Sequence, residues 1–171
     1  MRFSSKVAMV TALAALLVGC GASEEVDIAS YTGDALSNGT LCLLDRTDGF
    51  PVEQAAEEFE GIVDITVSDD CDGEENVALV QLVIDEDSWS GWYNGPSEDR
   101  GGMAWIRLNV GQAFRKTPAG WRQVLVHEIG HAVGLDHTWE GTSVMFPYSA
   151  NSTHLSDQDK EQLRTLYEVD L

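Results

Sequence analysis

Apolar residues recur along this chain in short runs, and these runs predict the strands of a β-sheet. Four segments, 39–46, 62–67, 77–84 and 103–110, are alternating or continuously apolar over the length of a strand. The third is apolar enough throughout to lie at the centre of a sheet. The segment 88–96 is aromatic and broken by glycines, so it fits either an edge strand or a surface loop whose rings tuck onto the domain.

Three other segments show the helical period of apolar residues. The first begins at Pro51, and Gly61 stops it. The second spans 118–133 behind Thr117 as N-cap, and apolar side chains nearly all round predict that it is buried at the centre of the domain. The third follows the capping-box pattern that begins at Ser156. Together these elements predict an α+β domain with a sheet of about five strands.

The second predicted helix carries the pattern H-E-x-x-H-x-x-G-x-x-H. His127 and His131 are four residues apart, so a helix projects both from one face, where they can bind one metal ion. Gly134 can adopt the left-handed conformation that ends a helix, and the returning chain brings in His137. Three imidazoles and a water make an open tetrahedral zinc site of the catalytic kind. Glu128 can reach that water without taking a coordination position.

A second signal follows the histidines, in the segment 143–148 (SVMFPY). Together the two stretches resemble the metzincin clan of zinc endopeptidases, and among them the matrixins, whose zinc motif is followed by a methionine turn. This resemblance implies a twisted mixed sheet, a central active-site helix, a methionine turn and a C-terminal helix. It also implies that Met145 forms a hydrophobic floor beneath the histidines, and that Pro147 and Tyr148 line the pocket for the residue after the cut.

The start of the chain has the features of an export signal. Arg2 and Lys6 precede an apolar run over 7–18 that is too short to span a bilayer comfortably. The run ends in Leu-Val-Gly-Cys, which resembles the bacterial lipoprotein processing site, where cleavage leaves Cys20 to be lipid-modified. The alternative is an ordinary secretory signal that is cleaved near Ala22. We therefore expect an anchored protein at the bacterial cell envelope, on its periplasmic or outer face.

This start divides the chain into three parts. Residues 1–19 form the expected signal peptide, and residues 20–38 are polar, small and without periodicity, as in a tether. Residues 39–171 form the expected metzincin-like domain, which we predict to be a monomer. Once Cys20 is lipidated, Cys42 and Cys71 remain as one pair. An oxidising compartment favours a disulfide between them over two free buried thiols.

The resemblance implies a zinc-dependent endopeptidase that acts on peptide or protein substrates. Zinc on His127, His131 and His137 would activate a water, with Glu128 as general base and then general acid. The segment 88–96 would pair with the substrate backbone as an added strand. The alternative is a non-catalytic surface lipoprotein that only holds zinc or binds a partner. Glu128 favours the enzyme, because a pure metal holder has no use for a base beside its first ligand.

The charge of the chain narrows the range of partners. Asp and Glu number 29 against 10 Lys and Arg, for a formal net charge of −19. Such an excess argues against nucleic acids and anionic membrane surfaces as partners. It fits a solvated acidic surface, which we favour, or a preference for cationic substrates.

The sequence gives weaker evidence of function for several other polar residues. The acidic turns over 68–75 and 85–87 offer oxygen ligands for calcium, but neither has a recognisable loop signature, so solvated carboxylates are favoured. Asp136 either orients a ligand or faces water, and we favour water. His154, the one spare histidine, is expected at the surface, and alone it cannot build the second, structural zinc site of vertebrate matrixins.

Overall fold

The computed structural model describes residues 36–111, 116–148 and 152–169. The expected signal peptide and Cys20 lie outside the described residues, as does most of the expected tether. Within the described residues, no helix combines the length and the apolar character that crossing a bilayer requires.

The centre of the fold is a five-stranded sheet with the spatial order β2-β1-β3-β5-β4. Neighbouring strands are parallel except β4, which runs antiparallel to β5 at one edge. The strands are β1 (Thr40–Asp45), β2 (Asp64–Ser68), β3 (Val77–Val83), β4 (Gly91–Asn94) and β5 (Ala104–Asn109).

The sheet confirms the predicted mixed architecture and settles the ambiguous segment. β3 lies at the centre, as its apolar sequence predicted. Four residues of the segment 88–96 form β4, so the edge-strand interpretation is right and the surface-loop alternative is wrong. β2 begins two residues later than predicted, because Ile62 and Val63 still belong to the turn that leaves the preceding helix.

The described residues contain three α-helices, at the predicted places. The first is shorter than expected and continues as a 3₁₀ turn over Glu57–Phe59, which brings buried Phe59 into the core. The helices are α1 (Val52–Ala56), α2 (Pro118–Ala132) and α3 (Asp157–Tyr167).

Both ends of α2 are stabilised in the way its sequence predicted. The Thr117 hydroxyl accepts a hydrogen bond from the Gly120 N–H, which satisfies a free donor of the first turn. At the other end Gly134 has φ +100°, a conformation that side chains other than glycine rarely adopt. The Leu135 N–H then donates to the Gly130 carbonyl at 2.8 Å, and the chain turns away from the helix.

The core lies between the sheet and the helices. Alternate residues of β3 and β5 are buried, namely Ala78, Val80, Ala104, Ile106 and Leu108, so one face of the sheet points inwards. These side chains form one cluster with apolar residues of α2, among them Trp121, Leu125, Val126 and Ile129. The prediction that α2 is a buried central helix is therefore confirmed.

One disulfide joins Cys42 of β1 to Cys71 in the turn that follows β2. It confirms the predicted pairing. The bridge joins residues that are 29 positions apart. In the chain-entropy model, a loop of this length stabilises the folded protein by about 3–4 kcal/mol, because the disulfide restricts the unfolded chain.

Candidate metal centre

Three histidine nitrogens meet at the end of α2. The Nε2 atoms of His127, His131 and His137 are 3.2 Å apart in every pair. The first two rings come from successive turns of α2, and the third comes from the loop that Gly134 makes. The prediction that the motif gathers these three rings is therefore confirmed.

The spacing of the nitrogens fits zinc. Zinc–nitrogen bonds of about 2.0–2.1 Å in a tetrahedron separate the nitrogens by about 3.3–3.4 Å. The 3.2 Å triangle is close to that value. Among the described residues, these histidines are the one group of three or more His, Cys, Asp or Glu side chains whose ligand atoms gather to bind a metal. The acidic turns do not form such a group.

Backbone carbonyls set the tautomer of the two helical histidines. His127 Nδ1 lies 2.8 Å from the Val144 carbonyl oxygen, and His131 Nδ1 lies 2.8 Å from that of Leu135. A carbonyl oxygen only accepts, so each Nδ1 carries the proton and each Nε2 lone pair is free for a metal. Sequence reasoning missed these partners, because a backbone carbonyl has no signature in the residue types.

The same two rings are neutral at pH 7. Burial lowers the pKa of His127 to about 4 and the pKa of His131 to about 3. Burial also lowers the pKa of the more exposed His137. Neutral imidazole is the form that binds a metal, so no proton has to be removed from the helical rings before binding.

Glu128 lies on the buried side of the helix against strand β4. Only 4% of the residue is exposed, and the Tyr93 backbone N–H hydrogen-bonds to its carboxylate. Burial raises the pKa of Glu128 to about 8, and the Tyr93 hydrogen bond opposes this rise. A carboxylate removed from bulk water in this way is a stronger base than an exposed one.

Strand β4 also contacts His131, and its glycine Gly91 leaves room for the Glu128 carboxylate. The Tyr93 ring stacks on His131, with centroids 6.5 Å apart and planes inclined by 24°. Gly91 faces Glu128 so closely that a Cβ there would lie 2.5 Å from Val124 Cγ1 and 2.8 Å from Glu128 Cγ. The role of β4 in holding Glu128 was not foreseen from the sequence.

Met145 is fully buried against the C-terminal part of α2. A Cβ added to Gly130 would lie 2.5 Å from Met145 Sδ and 3.1 Å from its Cε. Gly130 immediately precedes His131, so the methionine packs against the part of the helix that bears the metal ligands. This position agrees with the floor expected from the resemblance.

A buried carboxylate on α3 holds the methionine turn. The Ser143 hydroxyl accepts from the Met145 N–H at 2.9 Å and donates to the Asp159 carboxylate at 2.8 Å. Asp159 also accepts from the Ser156 N–H at 2.8 Å, which completes the predicted capping box of α3. The capping box identified Asp159 as a helix cap, but its bond to Ser143 was missed.

Pro147 and Tyr148 follow the methionine turn, and Tyr148 belongs to an aromatic cluster. Its ring centroid lies 5.6 Å from that of Phe146 and 6.2 Å from that of Trp139. Trp139 was not singled out from the sequence, although a tryptophan two residues after a predicted metal ligand is a signal that the sequence shows.

Asp136 and His154 lie at the surface. Asp136 is exposed and raises the pKa of the adjacent His137 by its charge, against the larger effect of burial. This position agrees with our prediction that Asp136 faces water. The exposed His154 ring lies 2.7 Å from a Glu58 carboxylate oxygen.

Comparisons with known proteins agree with this geometry. The Matrixin family pattern matches residues 47–168. Macrophage metalloelastase of Oryctolagus cuniculus is 44% identical over 48 residues, which cover 26% of this chain and 10% of that protein. The chain thus matches about a tenth of the length of this curated relative.

A solved structure supports the fold. The structure of myroilysin has a TM-score of 0.55 and 14% sequence identity to this chain, and the match covers 82% of this chain and 98% of that one. At this identity the likeness shows the metzincin-like fold alone. The Matrixin family pattern itself extends from the end of β1 to the end of α3 and includes all three histidines. The chain belongs to the matrixin family.

Proposed function

We propose that this protein is a zinc-dependent endopeptidase. The observation that carries this proposal is the triangle of histidine nitrogens with 3.2 Å sides, next to a buried glutamate on the same helix. Membership of the matrixin family supports the same activity. His127, His131 and His137 would hold the zinc ion, and Glu128 would transfer protons.

Each residue has a separate task in the proposed hydrolysis. A zinc ion held by the three histidines would lower the pKa of a water molecule towards neutrality and would polarise a substrate carbonyl. Glu128 accepts a proton from the attacking water and later gives it to the leaving amine nitrogen, so the peptide bond breaks without a covalent intermediate. The carbonyls of Val144 and Leu135 hold two of the imidazoles in the required tautomer.

Strand β4 is the proposed site of the substrate backbone. It pairs with β5 on one side and is the last strand of the sheet on the other. An extended peptide can add to such an edge through main-chain hydrogen bonds. Pro147 and Tyr148 would then line the pocket for the substrate residue after the cut.

Replacement of Glu128 distinguishes the enzyme from a protein that only holds zinc. We expect Glu128→Ala to bind zinc as wild type does but to hydrolyse casein at less than about a hundredth of the wild-type rate, because the proton acceptor is lost. Zinc content and casein hydrolysis are measured side by side, with the exposed Glu53→Ala as the matched control. Equal hydrolysis by Glu128→Ala would exclude this mechanism. No hydrolysis by any zinc-loaded form would favour the binding role.

We also propose that the protein is a bacterial lipoprotein with residues 1–19 as signal peptide, 20–38 as tether and 39–171 as a monomeric protease domain. The Leu-Val-Gly-Cys sequence that ends at Cys20 supports the anchor. The Cys42–Cys71 disulfide supports export to an oxidising compartment. In a bacterium that processes lipoproteins, wild type should sediment with membranes and Cys20→Ala should not. Membrane association of both forms would contradict the anchor.

A further inference from the structure

Three aromatic rings form an exposed cluster beside the metal centre, which we name the aromatic platform: Trp139, Phe146 and Tyr148. Trp139 is 76% exposed and Tyr148 is 36% exposed. The ring centroids lie between 5.6 and 6.4 Å apart, within the range of direct aromatic contact. Large exposed aromatic rings that touch one another are typical of a binding surface.

The platform is attached to the same backbone as the candidate site. The Thr138 N–H donates to the Met145 carbonyl at 3.1 Å, which links the loop after His137 to the methionine turn. Trp139 follows the first of these bonded residues and Phe146 follows the second, so the hydrogen bond brings the two rings together.

Two carboxylates lie close in sequence to Trp139 of the platform. Asp136 precedes His137, and Glu140 follows Trp139; both are exposed. None of the ion pairs between described residues involves either of them. The Glu140 carboxylate accepts a hydrogen bond from the neutral Gln158 amide, whose nitrogen lies 2.7 Å from it. No cationic side chain among the described residues therefore neutralises Asp136 or Glu140.

Aromatic faces next to unpaired carboxylates favour one class of ligand. An apolar side chain would gain contact area on the rings but nothing from the two charges. A cationic side chain gains both a cation–π contact with the rings and attraction to the carboxylates. Arginine suits such a site better than lysine, because its planar and weakly hydrated guanidinium stacks on aromatic faces. The formal net charge of −19 attracts the same class of peptide.

We infer that the aromatic platform is a substrate subsite for an arginine or lysine side chain, and that Trp139 is its specificity-determining residue. This inference rests on the proposed peptidase function. It adds a preference for a cationic substrate residue to the pocket expected at Pro147 and Tyr148. The loop between His137 and the methionine turn would set this preference.

The test compares an arginine with its neutral isostere. Sites at which the zinc-loaded protein cuts casein are identified by mass spectrometry and copied into peptides. Each position within four residues of the cut carries arginine, citrulline or leucine in turn. At one position we expect arginine to raise kcat/KM about tenfold over citrulline and leucine. Trp139→Leu, which keeps apolar area but loses the π face, should abolish that preference, and Asp136→Asn with Glu140→Gln should weaken it.

Ile84→Ala is the matched control, since Ile84 is an exposed apolar residue (86%) that follows β3 and does not belong to the platform. It should keep the arginine preference. Casein cleavage without arginine preference at any position, or a preference that Trp139→Leu retains, would overturn the inference and leave the proposed function standing. Absence of casein cleavage by the zinc-loaded wild type would overturn the proposed function, and this inference with it.

Discussion

Gly91 shows how one missing side chain shapes the candidate site. It is the first residue of β4 and faces the carboxylate of Glu128. A methyl group there would collide with that carboxylate and would lie 2.5 Å from Val124 Cγ1, closer than real Cβ contacts come. Both neighbours lie on α2, whose backbone is fixed by the core, so the Glu128 side chain is the group that has to move.

Gly91→Ala should therefore displace the proposed base without removing the metal. We expect kcat to fall about a hundredfold, the cost of a displacement near 1 Å at a reacting group, while KM and zinc content change little. Steady-state kinetics and metal analysis measure these quantities.

The matched control is Gly141→Ala, because a Cβ at Gly141 meets nothing within 4 Å. Full activity is expected of it. If Gly91→Ala were as active as this control, the close approach of β4 would have no part in positioning Glu128.

At the scale of elements, α2 contains two glycines with opposite roles. Glycine destabilises a helix interior relative to alanine, so each position needs a local reason. At Gly120 a Cβ would meet its nearest neighbour at an ordinary 3.6 Å. At Gly130 it would lie 2.5 Å from Met145 Sδ, and Met145 is fully buried. The second glycine thus allows the methionine turn to pack onto the helix.

The two alanine variants should change stability in opposite directions. Gly120→Ala should raise the free energy of unfolding by about 0.4–1 kcal/mol, because alanine lowers the conformational entropy of the unfolded chain. Gly130→Ala should lower it by about 1–3 kcal/mol through overpacking against Met145. Urea denaturation of the zinc-free proteins measures both values. Equal stability of the two variants would show that Met145 is free to move aside.

At the scale of the whole molecule, Arg122 joins three separate parts of the chain. Its guanidinium donates to the Gln54 carbonyl of α1 at 3.0 Å and to the Thr153 carbonyl before α3 at 2.9 Å. It also pairs with the Glu58 carboxylate, which accepts a second contact from His154. This cluster links α1, α2 and the segment that leads to α3.

The cluster of Glu58, Arg122 and His154 predicts that the free energy of unfolding depends on pH. Burial by itself raises the pKa of Glu58, but the hydrogen bonds and charges of Arg122 and His154 outweigh it and lower the pKa below 4.5. A carboxyl group whose pKa is lower in the folded state stabilises the protein above its unfolded pKa. That contribution is lost as the pH falls through the folded value.

We therefore expect wild type to be more stable than Glu58→Gln at pH 7, and the difference to shrink as the pH falls below about 4.5. Unfolding by urea at a series of pH values between 7 and 3 measures it. Glu57→Gln, at an exposed neighbouring position, is the control and should follow wild type throughout. A constant difference between wild type and Glu58→Gln across this range would contradict the assigned pKa shift.

Features that depend on neighbours in the sequence could be predicted from the residues alone. The i, i+4 spacing of His127 and His131 needs only a helix, and Thr117 and Gly134 mark the two ends of that helix. The strands and the capping box of α3 follow from local patterns in the same way. The predicted bounds of α1 and β2 were less exact. The packing of Phe59 into the core decided where the first helix changes into a 3₁₀ turn.

Residue types at short and regular spacing were thus enough to predict the three histidines of the candidate site, the proposed proton-transfer residue and the α+β class. The groups that surround these residues became known from the folded structure alone. The carbonyls that orient His127 and His131, the β4 backbone that holds Glu128 and the Asp159 carboxylate that fixes Ser143 are brought together by folding. A backbone group is the same in every residue, so no pattern of side chains reveals which one will meet a buried histidine or carboxylate.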